Sequence, residues 1–424
     1  MERYHSYKDS GVKWLGEIPS HWEMLALKHI LKLKKDIVGR RSSQYDLLSL
    51  TLKGVVKRDM ENPEGKFPAS FDTYQAVEPN DFIFCNFDNE ETPRAVGLSP
   101  YKGMITGAYD VLSRKNPKLT DGFLIYYFLY IDDAKRFKPL YKGLRKTVPF
   151  DSFMSYKIPV PSLKEQAAIV SYLDTATAKI DAAITQQQKM IDLLNERKQI
   201  IINRAVTKGL NPDVKMKDSG VEWIGEVPEH WEIIPLKRIS TSTKILVDPQ
   251  SYKGKMLYEY SMPSFDNMKA PELVSGASLE SSKIALSGPT LLVNKLNVHK
   301  KRIWYVESPY ENSVASTEFI PFKLHNSNPH YIEYYLLSDQ VTDYLKNNTF
   351  GATNSQRRVA PEIVCSLPMT IPPVQEQQRI VDYLDRLTDS IAVLLEVYNK
   401  NISLLQERKQ IIINEVVTGK VKVV

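Results

Sequence analysis

Apolar residues recur with a helical period over two long stretches of the chain. From about residue 163 to 207 there is neither Pro nor Gly, and Ala, Gln, Lys and Ile are frequent, a composition compatible with helix. Pro159 and Pro161 precede this stretch and Gly209 follows it, the usual start and stop signals. Alternating steps of four and three pick out Leu173, Thr177, Ile180, Ile184, Gln187, Ile191, Leu194, Lys198 and Ile201. The same steps 211 residues later give Leu384, Thr388, Ile391, Leu395, Tyr398, Ile402, Leu405, Lys409 and Ile412. Both stripes are mostly apolar at a period of about 3.5 residues, the pattern of a coiled-coil seam. Such stripes must be buried, either against the neighbouring domain or against each other. Equal lengths and matching registers favour mutual antiparallel packing, with the long insert returning the chain. Helices of about 40 residues would form a rod about 60 Å long, a spacer between whatever precedes each of them.

The spacing of 211 belongs to a wider internal repeat. Lys8–Glu23 (KDSGVKWLGEIPSHWE) returns as Lys217–Glu232 (KDSGVEWIGEVPEHWE), and over residues 8–30 against 217–239 the two copies agree at 15 of 23 positions. Glu165-Gln166, Ile169-Val170 and Tyr172-Leu173-Asp174 return as Glu376-Gln377, Ile380-Val381 and Tyr383-Leu384-Asp385. Glu196–Asn203 (ERKQIIIN) returns unchanged as Glu407–Asn414. Between these repeated parts, residues 31–157 and 240–370 share no alignable run. Each half therefore reads as an entry motif, a variable module and a repeated helix.

Strand-like runs occur in both modules, at Asp81–Phe87 and Lys300–Val306, and short helical patterns follow near 121–137 and 329–346. Each module is thus α+β. Nothing in either resembles a phosphate-binding loop, a dinucleotide fingerprint, a nucleophile elbow or an amino-methyltransferase tetrapeptide. Glu64-Gly65-Lys66 matches the end of a metal-dependent nuclease pattern, but no Pro-Asp partner precedes it in the module. His21 and His230 fall in the repeated entry motif and read as structural. Cys85 and Cys365 lie far apart and form no zinc-type cluster, so they read as free thiols.

With 42% hydrophobic and 25% charged residues, the composition is that of a soluble globular protein. The longest apolar run, Phe123–Ile131, has nine residues, whereas a membrane span needs about 20. The start of the chain lacks the features of a secretory signal, so a cytoplasmic location is expected. Net charge is only +6, from 56 basic and 50 acidic residues, which is compatible with nucleic acid without demanding it. The basic clusters say more. Lys53, Lys57 and Arg58, then Arg145 and Lys146, then Lys301 and Arg302, and finally Arg357 and Arg358 are candidates for phosphate or base contact, because lysine and arginine neutralise phosphates and arginine pairs with guanine. An ordinary solvated face would look the same in any one cluster.

The two entry motifs, YKDSGVKWLGEIPSHWE and KDSGVEWIGEVPEHWE, with the two helices of pattern EQ…IVxYLD…ERKQIIIN, resemble the specificity subunit of type I restriction–modification systems over the whole chain. The resemblance implies an α+β protein with two target recognition domains joined by two long helices conserved in the family, packed as an antiparallel coiled coil in a pseudo-twofold tandem repeat. It divides the chain into a first target recognition domain (1–160), a first spacer helix (161–210), a second target recognition domain (211–372) and a second spacer helix (373–424). The seam would use Leu173, Ile180, Ile184, Ile191, Leu194, Leu384, Ile391, Leu395, Ile402 and Leu405.

In function, the resemblance implies a non-catalytic subunit reading a bipartite, asymmetric site on double-stranded DNA. Two methyltransferase subunits would dock on the helices and two restriction subunits would join them. S-adenosylmethionine, ATP and Mg would serve those partners, with no cofactor or metal in this chain. The competing expectation is a coiled-coil scaffold whose modules bind proteins.

Overall fold

The computed structural model describes residues 2–60, 68, 70–242, 244–351 and 356–423. Glu64-Gly65-Lys66 lies outside the described residues. Two compact units emerge: residues 1–188 with 399–424, and residues 189–398. The boundary falls inside the first long helix, Leu163–Lys208, and the second, Val374–Val417, is likewise shared.

The first unit opens with a hairpin pairing Tyr7–Asp9 and Glu17–Pro19. Its module centres on a four-stranded antiparallel sheet in the spatial order Leu31–Lys34, Asp110–Arg114, Phe82–Phe84, Val96–Leu98. The helix Asp121–Asp133 packs on this sheet, Phe128 meeting Phe82 and Phe84 edge-on. Thr120 caps the helix by accepting from the Phe123 amide, which satisfies one of its free first-turn donors. A hairpin, Leu48–Thr51 with Gly54–Lys57, and a pair, Gln75–Val77 with Gly103–Ile105, surround a small second core of Leu48, Val55, Val77, Ile83, Ile105 and Val111. The strand Lys157–Val160 then returns beside Glu23–Ala26 and leads into the long helix.

The second unit repeats this order. Its sheet runs Ser240–Thr241, Phe319–Leu324, Thr290–Asn294, Ile303–Val306, and Pro368–Ile371 returns beside Glu232–Pro235. The helical pattern over 329–346 is two helices, Pro329–Leu336 and Asp339–Asn347, because Ser338 caps the second by accepting from the Val341 amide. A separate five-stranded sheet occupies the rest of the module, with Met256–Tyr260 parallel to Ser313–Ser316. Two of the expected strands shrink, to Phe82–Phe84 and Ile303–Val306. In the second case Val298–Lys300 forms a 3₁₀ turn and Lys301 has φ +47°, which breaks the extended run.

Within the first unit, Ile169 and Leu173 of one long helix share a core with Ile413, Val416 and Val417 of the other, while Lys409 meets Asp181 at 2.7 Å. One helix ascends where the other descends, so their packing is antiparallel. The second unit does the same with Ile380 and Leu384 against Ile202 and Val206. Leu173, Ile180, Ile191, Leu384 and Ile391 are buried, and Ile184, Leu194, Leu395, Ile402 and Leu405 half-buried, among mostly exposed neighbours. Each helix ends in a left-handed glycine, Gly209 or Gly419, close to the buried Trp231 or Trp22 of the same unit.

Candidate nucleic-acid interface

The repeated residues build a clasp that fixes each module to a helix. Ser162 and Glu165 form a reciprocal capping box at the helix start. Glu165 also accepts from His21 Nε2 at 2.7 Å and from Trp22 Nε1 at 3.2 Å, so the entry motif is tied to the same turn. Burial would raise the Glu165 pKa, but the bonds from His21, Ser162 and Trp22 hold it below the usual carboxylate value. Gln166, fully buried, accepts from the Thr120 amide at 2.8 Å and donates to the Lys118 and Pro161 carbonyls, so it grips the N-terminus of the module helix. In the second unit, Glu376 meets His230 at 2.8 Å, and Gln377 accepts from the Asn328 amide and donates to Pro372. Tyr126 reaches Asp174 and Thr177 as Tyr334 reaches Asp385 and Thr388. The Glu-Gln pair is visible in the repeat, but its two-sided role is not, since its partners in the entry motifs and modules lie 46–146 residues away.

With the modules so held, one surface element recurs. In the first unit, the turn after strand Phe82–Phe84 is joined to a basic hairpin by the Asp88 amide donating to the Arg145 carbonyl at 2.7 Å. In the second, the Asn297 amide donates to the Arg357 carbonyl at 2.8 Å after strand Thr290–Asn294. Val148 and Val359 complete the match, donating to Asn86 and Lys295. The candidate pairs Arg145-Lys146 and Arg357-Arg358 therefore occupy corresponding loops of the two modules.

Their electrostatic settings differ. The Arg145 guanidinium is bidentate to Asp88, lies 4.7 Å from the Phe87 ring centroid, and holds the Asp88 carboxyl below its usual range. Lys146 pairs with Glu90, and together with Lys138 it pulls the Glu90 pKa down to about 2. Arg357 is exposed and has no ion pair among the described residues, whereas Arg358 is bidentate to Glu318. Such exposed pairs leave the cations within reach of a phosphate, because each carboxylate is a solvated partner worth little by itself.

The remaining candidates separate into surface and interior. Lys53 is exposed at the tip of the hairpin Leu48–Lys57, and Lys57 pairs with Asp46 at 2.5 Å and faces the Tyr101 ring. Arg58 follows the hairpin, half-buried. Lys301 instead points inward to Gln199, the Leu337 carbonyl and Asp339, all within 2.8 Å. Arg302 is 6% exposed and bidentate to Asp266. These two cations tie their turn to neighbouring helices, and only contacts distant in sequence reveal it.

Among the described residues no group of three or more His, Cys, Asp and Glu could hold a metal ion, and no helix is long and apolar enough to cross a membrane. Both cysteines are free, with Cys85 buried and its thiol pKa raised by that burial.

Known proteins match this arrangement along nearly the whole chain. Residues 96–191 and 228–402 fit the type I restriction modification DNA specificity domain, once in each half. A putative type I restriction enzyme MjaX specificity subunit of Methanocaldococcus jannaschii is 25% identical, covering 98% of both chains. The MjaVIII specificity subunit of the same organism is 25% identical over 76% of this chain and 75% of its own. The Escherichia coli EcoKI specificity subunit is 18% identical over 88% of this chain and 83% of its own. A solved chain, described under the structural basis of complex assembly and conformational transition of the type I R-M system, has the same fold. Its TM-score is 0.66 at 14% identity, covering 94% of this chain and 98% of that one. With both halves matched by the family model and the clasp built twice, the chain belongs to the type I restriction–modification DNA specificity family, whose members are the non-catalytic, DNA-recognising subunits of their complexes.

Proposed function

We propose that each module reads one half of a bipartite, asymmetric site on double-stranded DNA, through the hairpins around Arg145 and Arg357 and, in the first unit, Lys53 and Lys57. The observation that carries this reading is the corresponding placement of two hairpins with unlike side chains. A symmetric pair of readers would favour a palindrome, and unlike readers favour unlike half-sites. Lys301 and Arg302 serve instead to shape the second module.

The long helices, 46 and 44 residues without a break, set the gap between the half-sites. They also dock two methyltransferase subunits. Leu193 and Ile200 in one unit, and Leu404 and Ile411 in the other, occupy matching repeat positions and are exposed apolar side chains outside the seam, at 47%, 58%, 52% and 45%. Two restriction subunits join that assembly in the cytoplasm. S-adenosylmethionine, ATP and Mg act in the partner subunits.

The test is methylation mapping in cells carrying this chain with its methyltransferase partner, against cells lacking only this chain. A bipartite methylated motif with a fixed gap, present only with the chain, is the expected result. Equal methylation in both would reject the reading.

A further inference from the structure

Leu144 is the most exposed large apolar side chain among the described residues, fully open to solvent. Nothing in folding favours that placement, since an apolar group left in water contributes no burial. Its backbone is nevertheless firmly held. Lys142 and Thr147 exchange both backbone hydrogen bonds, at 2.9 and 3.0 Å, and the Lys146 amide donates to Gly143. Gly143 and Lys146 both have positive φ, +68° and +43°, the second unfavourable for a residue with a Cβ. Asp88 and Glu90 clamp the loop from outside through Arg145 and Lys146. The turn is therefore a tight hairpin, closed by one bridge between Lys142 and Thr147, that offers one leucine at its tip, with exposed Lys142 and Arg145 beside it.

We propose that Leu144 enters the major groove and contacts the methyl group of a thymine in the half-site of the first unit, an inference that rests on the DNA-reading function above. The tip of a single hairpin is admitted by the major groove, about 12 Å wide, more readily than by the minor groove at about 6 Å. Within the major groove the apolar feature that a base pair presents is the thymine methyl. Lys142 and Arg145, exposed and within two residues of Leu144, supply positive charge for phosphate contact, which holds the register without reading sequence.

The test uses the assembled complex with its methyltransferase partner and a duplex carrying the mapped site. Each thymine of both half-sites is replaced in turn by deoxyuridine, which removes only the methyl group. One such replacement, in one half-site, lowers the affinity of the unaltered complex by about fourfold, the factor expected for one buried methyl group. Leu144→Ala weakens binding to the thymine duplex by about tenfold and loses sensitivity to that replacement. Leu144→Met keeps most of the affinity, and the full exposure of the residue leaves thermal unfolding of all variants unchanged. Leu144→Ala binding like the unaltered chain, or no thymine whose effect depends on Leu144, overturns the inference. A complex with no preference for a bipartite site would instead remove the reading on which it rests.

Discussion

The turn Asn86–Arg94 in the first module and the turn Asn294–Arg302 in the second occupy corresponding places and carry opposite charge. The first holds Asp88, Glu90 and Glu91 against Arg94, and the second holds Lys295, Lys300, Lys301 and Arg302 with no carboxylate. In the first, Arg145 and Lys146 are paired with Asp88 and Glu90. In the second, Asn297 replaces Asp88 beside the matching hairpin, and Arg357 keeps its charge without an ion pair among the described residues. One backbone design thus supports two electrostatic faces. The frame fixes where these loops sit, and the loops are free to differ, because their side chains contribute little to the core.

The largest effect of substitution falls on what the units share. Gln166→Ala and Gln377→Ala each strand a buried amide and a carbonyl, so each should destabilise its own unit by about 2–4 kcal/mol. Hydrogen exchange should rise in Asp121–Asp133 for the first variant and in Pro329–Leu336 for the second; rise in both helices from either change would deny the units their independence.

The charge contrast comes next. Arg145→Ala with Lys146→Ala should flatten the dependence of log affinity on log salt by about 2, and Arg357→Ala by about 1, if each cation meets one phosphate. Asp88→Asn with Glu90→Gln gives the first loop the character of the second and should raise non-specific duplex affinity at low salt. An unchanged gel-shift titration would show that these carboxylates do not compete with DNA.

A smaller asymmetry lies in the clasp. Trp22 Nε1 donates to Glu165, but Trp231 Nε1 is buried without a partner among the described residues. Trp22→Phe should therefore cost about 1.5–3 kcal/mol more than Trp231→Phe in denaturant unfolding, the share of a hydrogen bond to a charged group. Acid provides a second readout. The Glu165 pKa is lowered in the folded state, so its contribution is fully present above the unfolded value, about 4.3, and fades as pH falls through the folded value. Glu165→Gln should remove that part of the acid sensitivity below about pH 4.3.

The smallest effect concerns the helix pair. Asp181→Ala removes an exposed partner of Lys409 and should cost about 0.2–1 kcal/mol. Ala392 and Lys198 stand at the matching repeat positions, and there the Lys198 pKa is lowered by burial and by Lys269. Ala392→Asp should raise that pKa, followed by NMR titration of the lysine.

Much of the architecture was legible in the sequence because it is local or repeated. Helix period, Pro and Gly at the helix ends, and the offset of 211 announced two long helices and two modules, since these features depend on neighbours along the chain. The common sheet of the modules was hidden. Its strands are short, and burial on a sheet face asks for apolar character rather than identity, so Phe82–Phe84 and Thr290–Asn294 fill one role with unlike residues.

Sequence alone settles the tandem plan and the two long helices, and its motifs carry the family resemblance. Only the tertiary structure decided which cations are available at the surface. Lys301, Arg302, Arg145 and Arg357 look alike in a sequence. Their difference is made by Asp339, Asp266, Asp88 and the absence of any such ion-pair partner among the described residues, respectively. Charge pairing depends on distance in space, and the distances are set by packing among residues far apart along the chain.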